Sequence, residues 1–345
     1  MFITQTKKII YKCSLIIERN ILIPFKIKFL SLETATVEEL IYEANIHGFK
    51  SCVLFCHYDK YGLITHQVKE LCSFFQSLGI DVIFLTTKVS DESKNWLSKN
   101  LSALIVRKNV GRDFGAWKDG INFLNSKQLF EKCSQLYLIN DSVIVINHSL
   151  KSIDFKSDFI EDDKTDVIGL TESWQKGYHL QSYFLKFNQN VIHSEVFCNY
   201  WTKYPLINSR LYSIENGELG ISKILINVGY SLKVLYPVTK LLRKDHISHF
   251  LATLNNLNIP RLNELKYNLF NEFFLIDFTD MNPSHRLWPL LLIDGCPVLK
   301  KDLIEKNPEK LISMRYFIFI IEALIVNVEG KKLLLNSLAH VKSVV

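Results

Sequence analysis

The sequence predicts an α/β protein: a mostly parallel sheet flanked by helices, followed by a mainly helical C-terminal region. Three observations predict this. Short apolar runs rich in β-branched residues alternate with helical patterns between residues 50 and 146. No stretch repeats with the roughly 20 to 50 residue period of solenoids and propellers. The 345 residues are 48% hydrophobic and only 22% charged, which excludes disordered, collagenous and low-complexity chains.

The elements follow in order. Cys52 to Tyr58 (CVLFCHY) reads as a strand, and Ile64 to Leu78 as a helix with Val68, Leu71, Cys72 and Phe75 on one face. Asp81 to Thr87 is the second strand. Ser90, Asp91 and Glu92 open a polar helix, because short polar and acidic side chains satisfy the free amides and the dipole there. Ala103 to Val106 is the third strand. It leads through the loop Asn109 to Gly115 into a helix ending near Leu124, and Gln135 to Ile139 is the fourth strand. Further on, Val167 to Leu170, Leu180 to Phe187 and Ser231 to Tyr236 read as strands, and Ile192 to Lys203 and Glu218 to Val228 as helices. The expected divisions are a basic segment 1–49, an α/β domain 50–245 and a helical region 246–345.

Seven scattered cysteines without a Cys-x-x-Cys pair argue against a disulfide scaffold or a zinc ribbon. Lysines interrupt the first apolar stretch and no cleavage pattern follows, so the expectation is a cytoplasmic protein without a signal peptide. The apolar run Tyr316 to Val328 is too short for a bilayer, which needs about 20 residues. The net charge of +6, with six basic side chains in the first 28 positions and Lys331, Lys332 and Lys342 near the other end, suits peripheral contact with an anionic membrane face. Nucleic acid is not an expected partner.

Ligands of open parallel sheets bind beyond the C-terminal strand ends, which directs attention to the strand exits. Those exits are His57-Tyr58-Asp59, Thr86-Thr87, Asn109 to Gly115 and Asn140-Asp141-Ser142. None carries a dinucleotide fingerprint or a P-loop, and Asp113-Phe114-Gly115 has no preceding His-Arg-Asp to make it a kinase motif. The turn with Asn109, Gly111, Arg112, Asp113 and, one turn on, Lys118 serves either as a diphosphate cradle or as an ordinary turn. In the second case Asp113 caps the helix and Arg112 pairs with it on the surface.

Asp141 lies between two apolar runs, where a lone acid needs a partner or a cation. His246 and His249 in Asp-His-Ile-Ser-His are candidate co-ligands for a metal on Asp141, though histidines at this spacing also occur as plain surface residues. Glu215 and Glu218 precede a helical pattern, a place that favours an ionised general base and equally an ordinary cap. His179, Gln181 and Ser182 stand among aromatics on a strand, suited to hydroxyl-rich ligands or to simple core.

In sequence order, H-Y-D, N-x-G-R-D-F-G-A-W-K, L-I-N-D-S-V, H-L-Q-S-Y-F-L-x-F and E-L-G-I-S-x-x-L-x-x-x-G-Y resemble the rhamnan synthesis protein F family of bacterial surface-polysaccharide glycosyltransferases. Asn282 to Trp288 and Gly295 to Lys301 continue the resemblance, which covers roughly residues 50 to 310. It implies a GT-A-like fold, a nucleotide-sugar donor, a glycan or lipid-linked glycan acceptor, and transfer of a sugar such as rhamnose. It also implies donor contacts from His57, Asp59, Asn109, Arg112 and Asn140 to Ser142, acceptor contacts from His179, Gln181 and Ser182, and Glu218 as base with Glu215 as substitute. Where the wider fold carries Asp-x-Asp, this chain has a single carboxylate, Asp141. Mg²⁺ or Mn²⁺ is thus an open expectation, and a non-catalytic assembly component is the alternative.

Overall fold

A computed structural model describes residues 2–30, 36–43, 49–146, 150, 152–256, 259–275, 277 and 279–324. Lys331, Lys332, Lys342 and the last four residues of the Tyr316 to Val328 run lie outside them, as do the side chains of Lys7 and Lys8. The chain forms two compact units that interleave in sequence, one from residues 1–63, 79–138 and 189–229, the other from 64–78, 139–188 and 230–345. Residue 245 falls inside the second unit.

The first unit begins with helix α1 (Phe2–Ile17), a π-helical turn Glu18–Leu22 and α2 (Ile23–Leu30). Its sheet contains β1 (Val37–Glu43), β2 (Ser51–His57), β3 (Asp81–Thr86), β4 (Ala103–Arg107) and β5 (Gln135–Asn140, whose last two residues fall in the second unit), in the order β1-β4-β3-β2-β5. β2 runs parallel to β3 with His57 opposite Thr86, and β3 runs parallel to β4 with Thr86 opposite Val106. Val53 to Phe55, Val82 to Leu85 and Ala103 to Ile105 are completely buried, as expected of strands covered on both faces. β1 was not expected. It pairs antiparallel with β4, with Val37 opposite Arg107, so the sheet is mixed rather than mostly parallel.

Helix α4 (Asp91–Asn100) starts where the sequence places it, with the Ser90 hydroxyl accepting from the Ser93 amide. Helix α5 (Arg112–Ser126) packs on the sheet through buried Trp117, whose Nε1 donates to the Leu54 carbonyl at 3.1 Å. The helices Glu195–Lys203 and Arg210–Tyr212, the π-helical stretch Ser213–Glu218 and the helix Leu219–Val228 complete this unit.

The second unit holds α3 (His66–Ser77), β6 (Val143–Val145), β7 (Val167–Gly169), the short pair β8 (Glu172–Ser173) and β9 (His179–Leu180), β10 (Phe184–Asn188), β11 (Leu232–Val234) and β12 (Val298–Lys300). β7 is flanked by antiparallel β10 and parallel β11, and β12 pairs antiparallel with β6. Phe155, Phe159 and Phe184 form its aromatic core. Among the described residues after 245, helices predominate. No described helix is long and apolar enough to cross a membrane.

Candidate functional site

Two adjoining cavities open at the C-terminal ends of β2, β3 and β4. The first, about 380 Å³, is walled by Cys56, His57, Thr86, Arg107, Arg112 and Asp113. The second, about 400 Å³, shares Tyr58, Thr87, Arg107 and Asn109 with it and adds Asp59, Lys60, Lys88, Lys108 and Glu38.

The loop between β4 and α5 sets the shape of this site. Arg107, 2% exposed, donates from Nε to Asp119 Oδ2 at 2.6 Å and from Nη2 to the Val110 carbonyl at 2.7 Å. The other Asp119 oxygen accepts from Thr36 Oγ1 at 2.5 Å, and the Lys108 amide donates to the Thr36 carbonyl at 2.8 Å. Asn208 closes the loop from outside, accepting from the Gly111 amide and donating to the Asn109 carbonyl, both at 2.7 Å. Gly111 has φ +74°, and a Cβ there would meet Gly115 Cα at 2.9 Å. Arg112 follows at φ +54°, a conformation that costs a non-glycine residue about 1 to 3 kcal/mol.

The residue preceding α5 is Gly111, which offers no side-chain cap, and Asp113 in the first turn accepts from Cys56 Sγ at 3.7 Å. The exposed Arg112 guanidinium has no ion pair among the described residues. The Gly111 amide is taken by Asn208, so it is withdrawn from the anion cradle. By helix geometry the remaining first-turn amides of α5 still lack intrahelical partners. Because Asp119 balances Arg107, the positive charge is carried by Lys60, Lys88, Lys108 and Arg112, against Glu38, Asp59 and Asp113.

The other candidates are placed as follows. His57 is buried, with Nδ1 3.3 Å from Thr86 Oγ1. Asp59 accepts the Tyr61 and Leu63 amides at 2.8 and 2.9 Å, folding the exit of β2. Lys118 does not face the cavities: its Nζ donates to the carbonyls of Thr202 and Tyr204 at 2.9 and 2.7 Å, and burial lowers its pKa.

Glu215 is ion-paired with Arg19, whose Nε lies 3.2 Å from Oε2. Glu218 does not stand at a free helix start, because the helix runs unbroken from Arg210 through the π-helical stretch to Val228. The dipole argument for its ionisation therefore fails. Glu218 is half-buried, and its charge adds, after burial, Tyr212 and Asp113, to what raises the Tyr204 pKa.

In the second unit, Asn140 Oδ1 accepts from the amide and hydroxyl of Ser142 at 3.1 and 2.5 Å. Lys300 Nζ donates to Ser142 Oγ at 3.0 Å, and Lys301 Nζ lies 3.9 Å from Asp141 Oδ2. A lysine, then, is the cation beside Asp141. His246 lies 3.9 Å from Asp294, His249 is exposed and Asp245 pairs with Arg243. Among the described residues no three His, Cys, Asp or Glu side chains gather as metal ligands, so the Asp141, His246 and His249 set is not assembled. His179, Gln181 and Ser182 are each more than nine-tenths buried and present no open wall. Gln181 exchanges hydrogen bonds with Thr171 and Asn282, and His179 Nδ1 is 2.9 Å from the Gly177 carbonyl.

Sequence reasoning missed Arg107, Asp119, Thr36 and Asn208. An arginine ending the apolar strand Ala-Leu-Ile-Val-Arg was a usable signal, since a buried guanidinium requires a carboxylate.

Comparison with known proteins agrees with the motifs. The uncharacterized protein y4gN of Sinorhizobium fredii is 32% identical over 182 residues, 51% of this chain and 45% of that protein. The chain therefore spans less than half the length of that relative. The virulence protein VirA of Vibrio anguillarum is 27% identical over 263 residues, 75% of this chain and 81% of that protein. A solved mannosyltransferase, PcManGT from Pyrobaculum calidifontis with GDP-Man and Mn²⁺, aligns over 92% of this chain and 86% of its own. Its 10% identity and TM-score of 0.30 make that likeness too remote to carry an argument. The rhamnan synthesis protein F profile matches residues 82–264, more than half of the chain and the whole of the loop that shapes the cavities. This α/β protein with a mixed sheet and flanking helices belongs to the rhamnan synthesis protein F family.

Proposed function

We propose that the protein is a glycosyltransferase that moves a sugar, rhamnose being the first to test, from a nucleotide-sugar donor to a polysaccharide or lipid-linked glycan. The observation that carries this reading is the lysine- and arginine-bearing pair of cavities at the C-terminal ends of β2, β3 and β4. A diphosphate is held by cations and helix-start amides together, and Arg112 at the N-terminus of α5 offers both kinds of group. Asp59 at the outer cavity suits the nucleoside. Glu218 takes the acceptor proton, with Glu215, ion-paired to Arg19, as the substitute.

The chemistry is a displacement at the anomeric carbon. The acceptor oxygen forms the new bond, the bond to the nucleoside diphosphate breaks, and the proton passes to Glu218. Cations at the diphosphate stabilise the leaving group as its charge grows. Release of nucleoside diphosphate from a panel of nucleotide sugars, with and without glycan acceptors, tests the reading. Acceptor-dependent release from one donor is the expected result, whereas nucleotide binding without turnover would favour a non-catalytic assembly component.

A further inference from the structure

A third cavity, about 450 Å³, lies in the first unit between the helix Glu195–Lys203 and the helix that runs from Arg210 to Val228. Its wall includes Tyr200, Tyr204, Tyr212, Asn199, Asn216 and Gly220. The ring centroids of Tyr200 and Tyr204 are 5.7 Å apart, and those of Tyr204 and Tyr212 are 5.6 Å apart. The π-helical turn Ser213–Glu218 widens the helix here, and the Tyr200 hydroxyl steadies it by donating to the Asn216 carbonyl at 2.9 Å. The buried Tyr204 hydroxyl, close to Ser213, completes no hydrogen bond of ordinary geometry.

We propose that this cavity is the acceptor subsite and takes a neutral pyranose unit of a glycan. The inference rests on the glycosyltransferase reading and names a site for its second substrate. A pyranose offers an apolar face of C–H groups and a rim of hydroxyls. Tyrosine rings match the first, while the side-chain amides of Asn199 and Asn216, with Lys203 at the mouth, match the second. The wall contains a single cation and no carboxylate, unlike the two cavities beside the sheet. Tyr204 links this wall to the rest of the site, since its ring stacks on Phe114 at 5.5 Å, and Phe114 follows Asp113 in the chain and packs against Gly217, the neighbour of Glu218. An acceptor hydroxyl held against Tyr204 is thereby brought toward the proposed base.

The test uses the full chain and trisaccharides of rhamnose, mannose and glucose in calorimetric titrations, with nucleoside diphosphate binding measured in parallel. A Cβ at Gly220 would meet nothing closer than 3.6 Å, so Gly220→Leu should fold while filling the cavity. The expected result is that at least one trisaccharide binds and that Gly220→Leu weakens it by at least about tenfold, with diphosphate affinity unchanged. Asn216→Ala, at an exposed position, should weaken it severalfold and guards against a packing artefact. Failure of all three trisaccharides to bind, or unchanged affinity in folded Gly220→Leu, overturns the proposal. Trisaccharide binding that Gly220→Leu removes, in a protein that turns over no nucleotide sugar, would sink the transferase reading and leave the glycan site standing.

Discussion

Arg107 and Asp119 form an ion pair of 2.6 Å with both side chains at most 3% exposed, and through it the end of β4 is joined to the middle of α5. The same guanidinium holds the Val110 carbonyl, so the pair fixes the loop that bounds the cavities. Removing one partner strands the other charge in the core. Asp119→Ala is expected to cost about 3 to 5 kcal/mol in denaturant unfolding. A loss below about 1 kcal/mol would mean that water reaches Arg107 and the pair does not organise the loop.

Arg112 is the cation at the mouth of α5 with no protein partner among the described residues. Arg112→Ala should weaken nucleoside diphosphate binding by about 1.5 to 3 kcal/mol, the worth of a hydrogen bond to a charged group. Because the native φ is +54°, the variant should not unfold more easily by relief of contacts, and Arg112→Gly should be at least as stable as wild type. Undiminished affinity in a folded Arg112→Ala would move the diphosphate toward Lys60, Lys88 and Lys108.

Glu218 and Glu215 differ in their neighbours. Glu218→Gln should reduce turnover by a factor of about 10² to 10⁴ with donor binding nearly intact, as expected for loss of a general base. Glu215→Gln removes the partner of Arg19 and should loosen the α1–α2 segment with little effect on turnover. Limited proteolysis of that segment reads the second effect. Reversed effects on turnover would transfer the base to Glu215.

Asp141 offers one carboxylate beside Lys301, with no assembled set of protein ligands among the described residues. If a hard cation serves the reaction through Asp141, added Mg²⁺ or Mn²⁺ raises turnover and Asp141→Asn abolishes the increase. Full activity in excess chelator would assign Asp141 to hydrogen bonding alone.

The α1–α2 segment presents Ile9, Ile10, Ile16, Ile17, Ile21 and Phe25, each 49 to 63% exposed, and carries Lys12 and Lys26. This combination suits the surface of an anionic membrane, where each basic residue contributes about 1 kcal/mol. Flotation with anionic vesicles should exceed flotation with neutral ones, and Ile17→Asp with Ile21→Asp should reduce it. Equal flotation with both lipids would remove the membrane from the proposal.

The α/β class, the strands β2 to β5 and the loop Asn109 to Gly115 were legible in the sequence, because strand runs, caps and glycine turns are local signals. Family membership was legible too, since several motifs in one order are specific. What the tertiary structure decided were the partners. Asn208 reaches Gly111 from 97 residues away, Thr36 reaches Asp119 from 83, and Arg19 reaches Glu215 from 196. Spacing along the chain carries no information about such pairs. Burial was hidden for the same reason: His179, Gln181 and Ser182 read as a polar strand face, yet Thr171, Asn282 and the Gly177 carbonyl meet the first two inside the second unit. The sequence names the residue types that chemistry requires, and folding decides which of them remain unpaired enough to bind a substrate.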